Sequence, residues 1–202
     1  STSAASSSTK SSSSNASSSV SSSSSSASTP SSGDVYLITT DTLSNGTYDS
    51  SKDEYTFSVS KSYKQIYVNA PDKTIIVELG GVTIENNENS PNYVADCDGF
   101  EISAKKNTTN YIKDTRATYT EDVDGQGKGA IYVDNGDLKL KGTGTLNITA
   151  NYLNGIHGKD DVKVQKQTLN ITAVNHGIRG NESVTITSGT VNISCGGDGL
   201  HS

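Results

Sequence analysis

From Asp34 onward, apolar residues come in short bursts, many alternating with polar ones. Val35-Tyr36-Leu37-Ile38, Tyr55-Thr56-Phe57-Ser58-Val59, Ile66-Tyr67-Val68 and Thr74-Ile75-Ile76-Val77-Glu78-Leu79 are rich in β-branched and aromatic side chains. Gly, Asn, Asp and Pro close them off, which predicts strands joined by turns. No segment of about 10 residues or more holds a 3.6-residue apolar period, so the pattern predicts an all-β chain. Thr108 to Asp124 is the least regular stretch and reads as a long loop.

The second half repeats. Asn154-Gly155-Ile156-His157-Gly158 returns as His176-Gly177-Ile178-Arg179-Gly180, and Asp198-Gly199-Leu200-His201 begins the unit again. Gly155, Gly177 and Gly199 are 22 residues apart. Val162 and Val164 return as Val184 and Ile186, and Leu169-Asn170-Ile171-Thr172 as Val191-Asn192-Ile193-Ser194. Leu146-Asn147-Ile148-Thr149 is the same element one unit earlier, and Ala130-Ile131-Tyr132 fills the Gly-Ile-His slot. Apolar, Gly and Asn positions recur together at a period near 22, with three short strands per unit. That predicts a right-handed parallel β-helix, a solenoid of about 22 residues per coil. In it, Ile131, Ile156, Ile178 and Leu200 stack in one interior column.

Residues 1–33 differ. Twenty-one of the 33 are Ser and Lys10 is the only charge. Such a stretch has too little apolar surface to offset its ordering entropy, so it reads as a disordered tether preceding a single domain at 34–202. The chain lacks Met, and Ser202 falls inside a repeat unit, so a fragment of a longer protein is expected. The net charge of −6 and the absence of Lys/Arg runs argue against nucleic acid and anionic membrane surfaces as partners. No apolar run is long enough for a membrane-crossing helix. Cys97 and Cys195 are the only cysteines. The repeat places them about four coils apart, near 19 Å at roughly 4.8 Å per step, which predicts free thiols.

The repeats, with Gly144-Thr145-Leu146-Asn147-Ile148-Thr149-Ala150-Asn151-Tyr152 and Gly196-Gly197-Asp198-Gly199-Leu200, carry a resemblance. They resemble the bacterial extracellular β-helix proteins labelled carbohydrate-binding domain-containing proteins, most closely over 126–202. The resemblance implies a pectate-lyase-like shape, binding of cellulose and acidic, pectin-like polysaccharides, Ca2+ in the fold, and an extracellular or cell-surface location. Where such proteins often carry Asp-Gly-Ile, this chain has Asn154-Gly155 and His176-Gly177; only Asp98-Gly99 and Asp198-Gly199 keep the acid.

Three sets of residues are candidates for chemistry. Tyr132, His157, Arg179 and His201 each follow an inward Ile or Leu and form one outward column. Arg179 suits a uronate carboxylate and Tyr132 a sugar face, so this is the carbohydrate-binding candidate. The ordinary alternative is a solvated corner. The metal candidates are Asp160, Asp161, Glu182 and Asp198, stacked carboxylates that would repel one another without a cation and whose oxygens suit calcium. The alternative is acids capping turns through backbone N–H groups. Asn147, Asn170 and Asn192 match glycosylation sequons but read better as a ladder of amides. The function implied is non-catalytic binding of cell-wall polysaccharide. Its rivals are a lyase with Lys159 or Arg179 as base, and a passive surface stalk.

Overall fold

The computed structural model describes residues 34–202. The Ser-rich segment 1–33, expected to be a tether, lies outside the described residues. The strands are β1 Val35–Thr39, β2 Thr47–Asp49, β3 Glu54–Val59, β4 Gln65–Leu79, β5 Thr83–Asn86 and β6 Asn92–Ala104. They continue as β7 Thr109–Asp114, β8 Gly129–Val133, β9 Asp137–Gly142, β10 Thr145–Ala150, β11 Asn154–Gly158 and β12 Val162–Gln165. The last are β13 Gln167–Ala173, β14 Ile178–Gly180, β15 Val184–Ile186, β16 Gly189–Cys195 and β17 Leu200–His201. One short 3-10 turn, Thr40–Asn45, interrupts them.

The all-β expectation holds, but the right-handed parallel β-helix, a solenoid of about 22 residues per coil over 34–202, does not. The strands divide between two sheets, one of 12 strands and one of five. The larger is mixed, because β2 runs antiparallel to β3. Local chemistry makes that hairpin. The Asp49 carboxylate accepts from the Ser51 amide at 3.0 Å and the Ser51 hydroxyl at 2.6 Å, and Asp53 takes a left-handed φ of 57°. A second departure is β4 and β6, of 15 and 13 residues. Each is more than twice the length of β11 or β12. Their pairing absorbs the misfit as register shifts at Val68/Asn69 and Ala70/Thr74, beside Asp72 at φ 60°. The 22-residue recurrence is confined to the second half of the chain, and nothing in the first half obeys it.

Within that second half the recurrence sets the pairing register. Ile156 pairs with Ile131 on one side and Ile178 on the other, and Ile178 with Leu200. Val162 pairs with Leu138 and Val184, and Leu169 with Leu146 and Val191. Ile131, Ile156 and Ile178 are fully buried, whereas Leu200 is 48% exposed. Two of the three recurring glycines are explained by close approach. A Cβ on Gly155 would lie 2.4 Å from Ile171 Cγ2 and 2.6 Å from the Gly177 carbonyl oxygen, and Gly177 meets Ile193 and Gly199 in the same way. The amide ladder is present. Asn170 Nδ2 donates to Asn147 Oδ1 and Asn192 Nδ2 to Asn170 Oδ1, both at 2.9 Å.

Both cysteines are unpaired. Cys97 is buried, and burial first, then the charges of Asp96, Asp98, Asp137 and Asp160, push its thiol up to about 12. Cys195 is half-buried. A thiol reagent is therefore expected to titrate both cysteines in denatured protein but only Cys195 in the native state. Fast native modification of Cys97 would contradict the burial of β6.

Candidate functional site

The outward positions beside the Ile131–Ile156–Ile178–Leu200 row form a continuous line across the large sheet. Tyr67 on β4 pairs with Tyr93 on β6, Tyr93 with Tyr132, Tyr132 with His157, His157 with Arg179, and Arg179 with His201. The structure thus brings together all four residues singled out from the repeat and adds two tyrosines before them. Tyr67 and Tyr93 stack with centroids 5.8 Å apart and planes 18° from parallel. The Tyr93–Tyr132 and Tyr132–His157 rings are each 5.4 Å apart. The signal for the missed pair was in the chain: Ile66-Tyr67-Val68 is the same triplet as Ile131-Tyr132-Val133.

The row is not open along its length. Tyr132 is 6% and His157 4% exposed, while Tyr67, Tyr93, Arg179 and His201 are half-buried. The segment between β7 and β8 packs against Tyr132, with Gly127 against its ring and Cβ. Tyr132 donates its hydroxyl to Asp134 at 2.9 Å; burial first, then that bond, raises its pKa. His157 Nε2 lies 3.3 Å from Asn181 Oδ1, and its Nδ1 is buried without a partner. Burial pushes the imidazole down to about 4, with the positive charges of Arg179, Lys128 and Lys159 adding to the shift, so it is neutral at pH 7. Arg179 donates through Nε to Asn181 Oδ1 at 3.2 Å and has no carboxylate partner among the described residues. Lys159, the alternative catalytic base, is ion-paired with Asp134.

The covering segment is anchored at its start. Arg116 grips Asp114 with Nε to Oδ1 at 2.8 Å and Nη2 to Oδ2 at 2.6 Å, and its guanidinium lies 3.7 Å from the Tyr152 ring centroid. Both partners of the ion pair are buried. Further along, Tyr119 and Lys128 both hold Asp122, at 2.8 and 2.7 Å.

The four metal candidates do not converge. Asp160 accepts from the Gly136 amide at 2.7 Å and lines a cleft of about 350 Å³ with Asp72, Asp96, Asp98 and Asp137. No Lys or Arg lines that cleft. Burial chiefly, with the charges of Asp161, Asp160 and Asp98, raises the Asp137 carboxyl. An oxygen-rich, acidic lining suits a hard cation. Asp161 faces elsewhere and accepts from Ser183 Oγ at 2.6 Å. Glu182 is exposed beside Asn181. Asp198 lies between His176 and His201, and one ligand atom from each of these three falls within 4.8 Å of the others. Burial first, and then the neighbouring His201, lowers the His176 pKa.

The model of the carbohydrate-binding domain-containing protein family matches residues 42–202. The chain belongs to that family. A protein of Acetivibrio thermocellus, itself called a carbohydrate-binding domain-containing protein, is 31% identical over 120 residues, 59% of this chain and 42% of the relative. The chain thus spans less than half of that relative's length. Among solved structures, the gadolinium derivative of a polysaccharide lyase-like protein from C. thermocellum superposes with a TM-score of 0.65, covering 83% of this chain and 73% of the other at 24% identity. That likeness concerns the fold. No helix among the described residues is long and apolar enough to cross a membrane.

Proposed function

We propose that this carbohydrate-binding family member acts as a non-catalytic binder of acidic cell-wall polysaccharide outside the cell, along the row from Tyr67 to His201. The observation that carries this reading is Arg179, half-buried in line with the stacked tyrosines and without a carboxylate partner among the described residues. A guanidinium so placed offers a bidentate grip on a uronate carboxylate, and half-buried Tyr67 and Tyr93 offer ring faces for a sugar. Tyr132 packs against the segment between β7 and β8 and His157 is buried beside it, so these two support the accessible ends of the row from below. Calcium enters this reading at the acidic cleft around Asp160, as a bridge between protein carboxylates and polymer.

Affinity electrophoresis in polygalacturonate gels tests it. The wild-type protein is expected to be retarded, and more so with calcium than with a chelator. Arg179→Ala is expected to weaken the interaction about tenfold, the scale of a lost charge-assisted hydrogen bond. Unchanged mobility of Arg179→Ala would remove the row from the site. Growth of unsaturated-product absorbance in the same polymer would mark a lyase instead.

A further inference from the structure

Three acids, Glu121, Asp122 and Asp124, fall within four residues of the segment between β7 and β8, and all are exposed. Asp122 Oδ1 lies 2.7 Å from Lys128 Nζ and accepts from the Tyr119 hydroxyl at 2.8 Å. The charge of Asp122 acts on Tyr132, and that of Lys128 on His157. An ion pair thus stands beside the buried middle of the aromatic row, with a carboxylate already on its cation.

The two ends of the segment are held firmly, by the Arg116 anchor and by Asn154 Nδ2, which donates to the Lys128 carbonyl at 2.8 Å. The centre is tied to the body through one half-buried side chain. Asn89 Nδ2 donates to the Gly125 carbonyl and Asn89 Oδ1 accepts from the Gly127 amide, both at 3.0 Å. Gly127 in turn sits against Tyr132, where a Cβ would lie 2.8 Å from the ring atom Cδ1. Clefts of about 350 and 390 Å³ flank the segment; Val123 and Gln126 line both, and Val123 is 48% exposed. A segment with so little buried apolar surface and so few ties opens at low cost.

We propose that residues 121–127 are an autoinhibitory strap, in which Asp122 stands on Lys128 in the place of a polymer carboxylate, and that an acidic polysaccharide displaces it to reach Lys128 and Tyr132. The inference rests on the binding reading above and adds Lys128 to it as the residue that selects a polyanion. One carboxylate leaves the ammonium as another arrives, so the exchange costs little beyond the two bonds of Asn89. A neutral polymer brings no carboxylate and leaves the strap shut, which is discrimination by an internal competitor.

The test combines affinity electrophoresis in polygalacturonate with amide hydrogen exchange of the full chain. Asp122→Asn keeps an acceptor for Tyr119 and removes the competing charge. It is expected to bind about two- to fivefold more tightly than wild type, the scale of an exposed ion pair. Asn89→Ala should gain at least as much, and should speed exchange of the Gly127 amide without polymer. In a Lys128→Gln background, Asp122→Asn should bring no gain. Polygalacturonate should speed exchange at Gly127 in the wild type, the opposite of the protection that a covering polymer confers. Retardation of the wild type with no gain in either Asp122→Asn or Asn89→Ala would overturn the strap and leave the row standing. A gain that persists in Lys128→Gln, or slower exchange at Gly127 with polymer, would also overturn it. No retardation of the wild type or of either opened variant would overturn the binding reading, and the strap with it. Circular dichroism matched to wild type shows that each variant keeps the fold.

Discussion

Replacing Asp114 with alanine is expected to cost about 3–5 kcal/mol of stability, the cost of leaving a buried charge without its partner. Asp114 is fully buried, and Arg116 is only 4% exposed. Without the carboxylate, the guanidinium keeps the Tyr152 ring at 3.7 Å but loses both of its strong acceptors. Arg116 already has Nη1 buried without a partner, and the Ser90 hydroxyl, 3.5 Å from Nη2, is too long a contact to replace the carboxylate. The pair stands at the start of the segment that packs against Tyr132, so the damage should spread along it. Urea unfolding of the variant should show the lower midpoint, and limited proteolysis should cut between residues 115 and 128 faster than in wild type. Replacing both partners, Asp114→Ala with Arg116→Met, should recover much of the loss, because the double change removes the stranded charge. A single variant as stable as wild type would mean that the covering segment is held elsewhere.

Acidification is the second large effect, and His157 supplies it. Its folded-state value of about 4 lies below the ordinary 6.5, so the fold favours the neutral ring. Between those values the unfolded chain binds the proton and the folded chain does not. The contribution is therefore complete above about pH 6.5 and is lost as pH falls toward about 4. The gap corresponds to about 3 kcal/mol at 1.36 kcal/mol for each tenfold change in proton affinity. Many carboxylates titrate in the same window, so the measurement is a difference. His157→Gln keeps an amide for Asn181 and removes the titration, and its stability curve between pH 7 and pH 4 should be flatter than wild type by about 3 kcal/mol. Parallel curves would show that the ring is accessible to water. The NMR titration of His157, expected to have its midpoint near 4, gives the same answer residue by residue.

The two effects are neighbours through Tyr132, against which both the segment that follows the Asp114–Arg116 anchor and the ring of His157 pack. In the proposed binding mode that segment limits access to Tyr132, and its release would lengthen the accessible row at that ring.

The 22-residue recurrence carried a great deal by itself. Apolar, Gly and Asn positions coincide there, so a one-residue slip would turn every side chain to the wrong face. The pairings Ile131–Ile156–Ile178–Leu200, the outward line Tyr132–His157–Arg179–His201 and the amide ladder all follow from it. Where the recurrence stops, so did its authority. The hairpin of β2 and β3 rests on an Asx turn, and the long β4 and β6 carry bulges where uniform coils would bend. Tyr67 and Tyr93 join the row through those irregular strands, so counting by 22 could not reach them. Burial was decided only by tertiary structure. The sequence places His157 on the outward side, and alternation does assign it there, but the structure leaves it only 4% exposed, with the Tyr132 ring edge-on to it and Asn181 Oδ1 3.3 Å from its Nε2. No local pattern records such a contact. The same reason separates the proposed calcium ligands: Asp160, Asp161 and Asp198 each turn to a different partner, and Glu182 is exposed. Which acids share a cleft depends on how successive rows bend at their corners, and the pairing register alone does not specify that bend.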